Sequence, residues 1–188
     1  IKAVDFLPPF LERLQDRAKS RSVGGRIETL EASMDALPFA DGQFDAIWSE
    51  GAIYNVGFET GVRAWRRFLK PGGVLAVSEI TWLTSERPQD LERHWTREYP
   101  GIATASAKLA ILEAAGYAPA GYFPLPETCW LDSYYRPMQA RFAEFLARNG
   151  NSDAARAIVA AEETEIALYE RYAAFYGYGF YIAKKTVA

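Results

Sequence analysis

Cysteine and histidine are almost missing from this chain. Its 188 residues include one cysteine, Cys129, and one histidine, His94, which excludes an internal disulfide framework and leaves too few soft ligands for a structural zinc site. No metal is therefore expected, and the cysteine usage fits a reducing, cytoplasmic setting. Long apolar runs are missing as well: none approaches the roughly 20 residues needed to cross a bilayer, so a membrane is not an expected partner. Positive charge is in slight deficit, with 21 Lys and Arg against 24 Asp and Glu and a net charge of −3. That supplies no overall positive field for a phosphate backbone, and nucleic acid is not expected either. What is present is ordinary globular material, 49% hydrophobic and 24% charged, enough to bury a core and against disorder or coiled coil. The length fits one domain over residues 1–188. Aromatic residues stand out, with five Trp and eleven Tyr, more than packing alone requires, and a cavity lined with flat rings is expected.

Apolar runs alternate with helix-period segments along the chain, which argues for an α/β fold with crossover helices. Ile1 to Val4 reads as a strand, and Pro8-Pro9 opens a helix in which Phe10, Leu11 and Leu14 share a face. Gly24-Gly25 ends that unit. Residues 26–31 alternate with period two, and Phe44 to Ser49 supplies another short strand. A helix is expected from Phe58 to Leu69, stopped by Lys70-Pro71-Gly72-Gly73. Val74-Leu75-Ala76-Val77 suits a strand covered on both faces, with Ser78-Glu79 at its carboxyl end, where ligands bind in open α/β sheets. Helices are expected around Asp90 to Glu98 and over Ala105 to Ala115, and Tyr117 to Pro126, with its prolines, reads as an edge or irregular strand. Two long helices, Leu131 to Arg148 and Asp153 to Phe175, and a closing strand, Tyr178 to Ala183, complete the reading.

Asp5, Asp35 and the pair Ser49-Glu50 each follow a candidate strand, and parallel strands would bring them to one rim. An ionised carboxylate such as Asp5 has only acceptors, which suits the two donors of a ribose diol; the competing reading is a cap on the helix that begins near Pro8. Asp35, after Ser33-Met34, can accept from an adenine amino group while the Met side chain packs on the ring, or can be an ordinary turn aspartate. Glu79, Tyr54 and His94 are the available groups for orienting or deprotonating a substrate. The late aromatics Trp130, Tyr134, Tyr135, Tyr169, Tyr172, Phe175 and Tyr176 fit either helix packing or a pocket or lid for a small apolar or aromatic molecule.

Taken in order, Asp5, Ser33 to Phe39, Phe44 to Gly51 and Leu69 to Gly73 resemble the class I S-adenosylmethionine-dependent methyltransferases. The likeness is nearest to small bacterial members that carry a Trp-Ser-Glu-Gly-Ala-Ile-Tyr-Asn run, here Trp48 to Asn55. It implies a doubly wound, Rossmann-like α/β fold of about seven strands, mostly parallel, with an antiparallel last strand. It also implies S-adenosylmethionine as cofactor, S-adenosylhomocysteine as product and a small-molecule acceptor. By the same resemblance Asp5 matches the ribose-binding acid, Ser33, Met34 and Asp35 the adenine site, and Ser49, Glu50 and Gly51 the loop beside the methionyl part. Many relatives carry Asp where Ser33 stands. The family's first strand, first helix and glycine-rich loop have no counterpart in the sequence, which begins at Ile1 where the second strand belongs. The expectation is a domain that is N-terminally incomplete, belonging to a longer polypeptide. Two other readings remain at this point: a non-catalytic module that binds the same nucleoside, and a nicotinamide-dependent oxidoreductase, whose ribose an acid after the second strand also suits. Ser33-Met34-Asp35 and the Trp-Ser-Glu-Gly run argue against the latter. The oligomeric state is open, a homodimer included.

Overall fold

The computed structural model describes residues 1–187. The chain runs β1 (Lys2–Asp5), α1 (Pro8–Ser20), β2 (Glu28–Glu31), β3 (Phe44–Ser49), α2 (Phe58–Trp65), β4 (Leu69–Trp82), α3 (Gln89–Glu98), β5 (Ala103–Thr104) and α4 (Ala105–Ala114). It continues with β6 (Tyr117–Pro124), α5 (Glu127–Trp130), α6 (Arg136–Gln139), α7 (Phe142–Arg148), α8 (Asp153–Tyr172) and β7 (Tyr176–Lys185). Each early boundary has a local cause. Pro8 and Pro9 occupy the first helical turn of α1, where a missing N–H costs nothing, and Thr104 caps α4 by accepting the Ala107 N–H.

The larger sheet has the order β3-β4-β7-β6, with β5 paired to the end of β4. β3 and β5 run parallel to β4, whereas β7 is antiparallel to both β4 and β6. This is the mostly parallel plan with an antiparallel last strand. β4 is the backbone of the site: it starts at Leu69, five residues before the expected Val74, and every residue from Ala76 to Trp82 is buried. Strand alternation then sorts side chains to two faces. Leu75 and Val77 of β4, with Tyr181 and Ala183 of β7, pack under Phe58, Val62 and Trp65 of α2 and Leu112 of α4. Ile80 and Trp82, with Tyr176, pack under Leu91 and Trp95 of α3, Trp130 of α5 and Ile166, Tyr169 and Tyr172 of α8. α2 comes close to the segment before it, because Gly61 has no side chain: a Cβ there would lie 2.7 Å from Ile53 Cγ1.

Two expectations need correction. The expected single sheet is two, since β1 pairs with β2 in a separate parallel ribbon, and among the described residues no ladder joins β1 to β3. In the order that the resemblance implies, a further strand lies between them, and no described residue fills that place. The second correction concerns the helix expected over 131–148. It is broken into a wide π turn at Leu131–Tyr135, then α6 and α7. Pro137 explains the π turn: it has no N–H to give to the carbonyl four residues back, and its ring crowds that carbonyl, so the preceding turn widens.

Candidate functional site

The carboxyl ends of β3 and β4 set the site. β3 runs out at Ser49, and Gly51 takes a left-handed φ of 54° that turns the chain away from the sheet. Its N–H donates to Ser78 Oγ at 2.8 Å, which ties this loop to the neighbouring strand. A single turn of tighter helix, Ile53–Asn55, follows, with Ile53 fully buried as its anchor and Tyr54 left exposed. The Tyr54 ring meets Tyr99 edge to face at 6.2 Å.

Beside this loop lies a cavity of about 420 Å³. Gly51 and Tyr54 form one wall; Trp95 and Glu98 of α3, with Tyr99 just beyond, form another. Ile80 of β4 and Tyr178 of β7 supply the floor, and Trp130, Tyr134 and Glu165 close the far side. Ring stacking fixes that far side. Trp130 is sandwiched between Tyr169, at 4.6 Å and 18°, and Tyr178, at 4.9 Å and 28°. Glu165 is held by the hydroxyl of the fully buried Tyr135, which donates to it at 2.8 Å. Burial pushes the Tyr178 and Tyr99 hydroxyls well above the usual phenol range, so both stay protonated donors at neutral pH.

Directly behind Tyr99 sits an ion pair with almost no solvent contact. Glu79 and Lys108 have side-chain exposures of 0% and 1%, and Lys108 Nζ donates to Glu79 Oε1 at 3.2 Å and to the Gly101 carbonyl at 2.9 Å. The ammonium also lies 4.6 Å from the Phe58 ring centre. Burial raises the Glu79 pKa and lowers that of Lys108, while their mutual attraction opposes both shifts. Glu79 Oε2 has no hydrogen-bond partner among the described residues.

The other sequence candidates divide. Asp5 is half-buried at the end of β1, and its Oδ1 accepts the Leu7 N–H at 2.8 Å. That is a turn contact; the N-cap of α1 is Leu7, without a side-chain cap, so the helix-cap alternative is corrected. Met34 packs against the α2 side of the core, and Trp65 Nε1 donates to its carbonyl at 3.0 Å, which fixes the Ser33-Met34-Asp35 turn. Asp35 projects to solvent. Ser49 pairs with Val77 in register, and the exposed Glu50 accepts the Trp48 indole N–H at 2.9 Å. Tyr54 reaches the cavity. His94 does not: it is half-buried against Trp95, outside the lining. Glu79 faces Lys108 behind the wall, and Lys108 in turn holds the Gly101 carbonyl. Sequence reasoning missed Lys108, Trp95, Glu98, Tyr99 and Glu165. A lysine alone in the apolar helix Ala105–Ala114 was the available signal for the first.

The chemistry of the donor set suits a nucleoside at positions 5 and 33–35. One Asp5 oxygen is used by the turn, the other keeps lone pairs for a diol, and Met34 offers an apolar contact for a base.

Residues 1–77 match the family model described as a methyltransferase domain. A ubiquinone/menaquinone biosynthesis C-methyltransferase, UbiE of Klebsiella pneumoniae, is 43% identical over 68 residues, covering 35% of this chain and 27% of the relative. The chain thus spans about a quarter of the length of that curated relative. Among solved structures, YjhP from E. coli aligns with a TM-score of 0.83 at 19% identity, over 99% of this chain and 76% of the other. A methyltransferase from Geobacter sulfurreducens, in complex with S-adenosylhomocysteine, aligns with a TM-score of 0.81 at 19% identity, over 97% and 74%.

Proposed function

We propose that the chain, whose residues 1–77 match a methyltransferase domain, is a class I S-adenosylmethionine-dependent methyltransferase that transfers the methyl group of S-adenosylmethionine to a small-molecule acceptor. The observation that carries the reading is that Gly51, which with Ser49 and Glu50 the family resemblance sets beside the methionyl part of the cofactor, also lines the aromatic cavity. When bound, the cofactor supplies an electrophilic methyl group on a sulfonium that leaves readily. The protein's share is to hold the two reactants in line and to keep water out. Asp5 grips the ribose; Ser33, Met34 and Asp35 hold the adenine; Ser49, Glu50 and Gly51 border the methionyl part. Tyr54 is shared between cofactor and acceptor sides. Burial and pairing leave Glu79 a positioning residue, and we assign no base to His94.

UbiE is a C-methyltransferase, but its acceptor does not carry over here. The family match ends at residue 77, and of the cavity lining only Gly51 and Tyr54 lie before that point. Apart from Tyr54, the acceptor is recognised by residues outside the likeness.

The test is a labelled-methyl transfer from S-adenosylmethionine into a metabolite pool by the complete protein, with calorimetry of S-adenosylhomocysteine beside NADH. Binding of the first without any labelled product would favour the non-catalytic module; binding of NADH alone would favour the oxidoreductase. The Asp5→Ala variant is expected to bind S-adenosylhomocysteine about tenfold more weakly, the loss of one charge-assisted hydrogen bond of about 1.5 kcal/mol. Asp5→Asn keeps an oxygen for the Leu7 N–H while losing the charge, so an equal loss in both variants locates the effect in the ribose grip. Unchanged affinity in both would reduce Asp5 to its turn contact.

A further inference from the structure

Resting on the methyl-transfer reading above, we propose that the acceptor is an amine bound as an ammonium group in this cavity, and that the methyl group goes to its nitrogen. Six of the lining side chains are aromatic, Tyr54, Trp95, Tyr99, Trp130, Tyr134 and Tyr178, and they come from four separate parts of the chain. Ring faces carry partial negative charge, and although both faces of Trp130 are taken by Tyr169 and Tyr178, the other rings grouped around this volume form a site for a compact cation. Two carboxylates, Glu98 and Glu165, complete the lining, while among the described residues no Lys, Arg or His does. Two cations lie close by, and each is already paired: Lys108 with Glu79 behind the wall, and Arg97, whose Nε donates to Glu98 Oε1 at 2.8 Å.

The electrostatics decide between acceptor classes. An anionic acceptor would meet the Glu165 carboxylate with no cation in the lining to offset it, Arg97 being spent on Glu98 at the rim. A neutral apolar acceptor would strip water from those carboxylates and give nothing back. An ammonium group satisfies both the rings and the acids, and the cavity volume of about 420 Å³ suits a small molecule. Glu165 is set in place by the Tyr135 hydroxyl, so part of the site is ordered before a ligand arrives.

The step balances with S-adenosylmethionine as methyl donor. The acceptor first gives its ammonium proton to water or to a lining carboxylate, which frees the nitrogen lone pair. That pair forms the N–C bond as the C–S bond breaks, and the sulfur keeps the electrons of the broken bond. Positive charge therefore passes from sulfur to nitrogen, inside a ring of groups that stabilise it as it grows.

The experiment is a binding comparison on the complete protein at fixed ionic strength, by calorimetry and by quenching of indole fluorescence. The probes are choline and its uncharged carbon isostere 3,3-dimethylbutan-1-ol, with S-adenosylhomocysteine measured in parallel. Choline is expected to bind about tenfold more tightly than the isostere. Tyr134→Leu and Glu165→Gln should each weaken choline several-fold and leave the isostere unchanged, whereas Tyr134→Phe should retain choline binding. Equal affinity for the two probes would make the cavity merely apolar and overturn the proposal, as would no choline binding to a protein that binds S-adenosylhomocysteine. Failure to bind S-adenosylhomocysteine would instead bring down the methyl-transfer reading itself.

Discussion

Replacing Lys108 with methionine should cost about 3–5 kcal/mol of stability, because it strands the Glu79 carboxylate in a site with no access to water. For a chain of this length that lowers the melting temperature by roughly 2–4 °C for each kcal/mol. The loss should depend on pH in a definite direction. Burial already raises the Glu79 pKa above its usual 4.5, and removing the ammonium that opposes this raises it further. A group with a raised native pKa binds its proton more tightly in the folded state, so its contribution is fully present below 4.5 and is lost as pH rises through the native value. The deficit of the Lys108→Met variant should therefore be small near pH 4.5 and grow toward pH 8. The double variant with Glu79→Gln should recover most of the loss, since a buried pair replaced as a unit is nearly neutral. Thermal melts of the three proteins across that pH range make the measurement. A deficit below about 1 kcal/mol at pH 8 would mean that water reaches Glu79 in solution.

That pair also shows which part of the molecule the sequence reveals. Elements with their own punctuation were readable: Pro8-Pro9 starts α1, Phe44 to Ser49 is β3 to the residue, and Gly116 follows the end of α4. The prolines of 117–126 correctly marked β6 as an edge strand with an irregular register. Tertiary context decided the rest. β4 extends back to Leu69 because Phe44 pairs there, a contact that no local pattern encodes. The expected helix over 131–148 ignored Pro137.

The site was half legible for the same reason. The residues proposed for the cofactor lie in short runs at strand ends, where order and spacing carry information. The cavity draws Gly51, Trp95, Trp130, Glu165 and Tyr178 from segments up to 127 residues apart (178 − 51), and only the fold brings them together. The late aromatics had two readings, packing or pocket, and the structure divides them. Tyr135, Tyr169, Tyr172 and Tyr176 are buried core, whereas Trp130 and Tyr134 line the cavity. The core members stiffen the wall that the other two present.

Trp130 joins those two roles, and its truncation is expected to be as severe as loss of the ion pair. Trp130→Ala should destabilise by about 3–5 kcal/mol, since it removes a 5%-exposed indole from between two stacked rings and leaves a void continuous with the cavity. Trp130→Phe should behave differently from what size alone implies. The indole N–H is buried with no partner among the described residues, and an unpaired donor costs about 1–3 kcal/mol. Phenylalanine loses some contact area but sheds that cost, so its deficit should be less than half that of alanine. A cycle with Tyr169→Leu should show a coupling of about 0.5–1.5 kcal/mol, the stacking contribution beyond area alone. Denaturant melts of the single and double variants provide both numbers. If phenylalanine proves as damaging as alanine, the indole N–H has a partner in solution, an ordered water inside the cavity, and this wall is wetter than its rings imply.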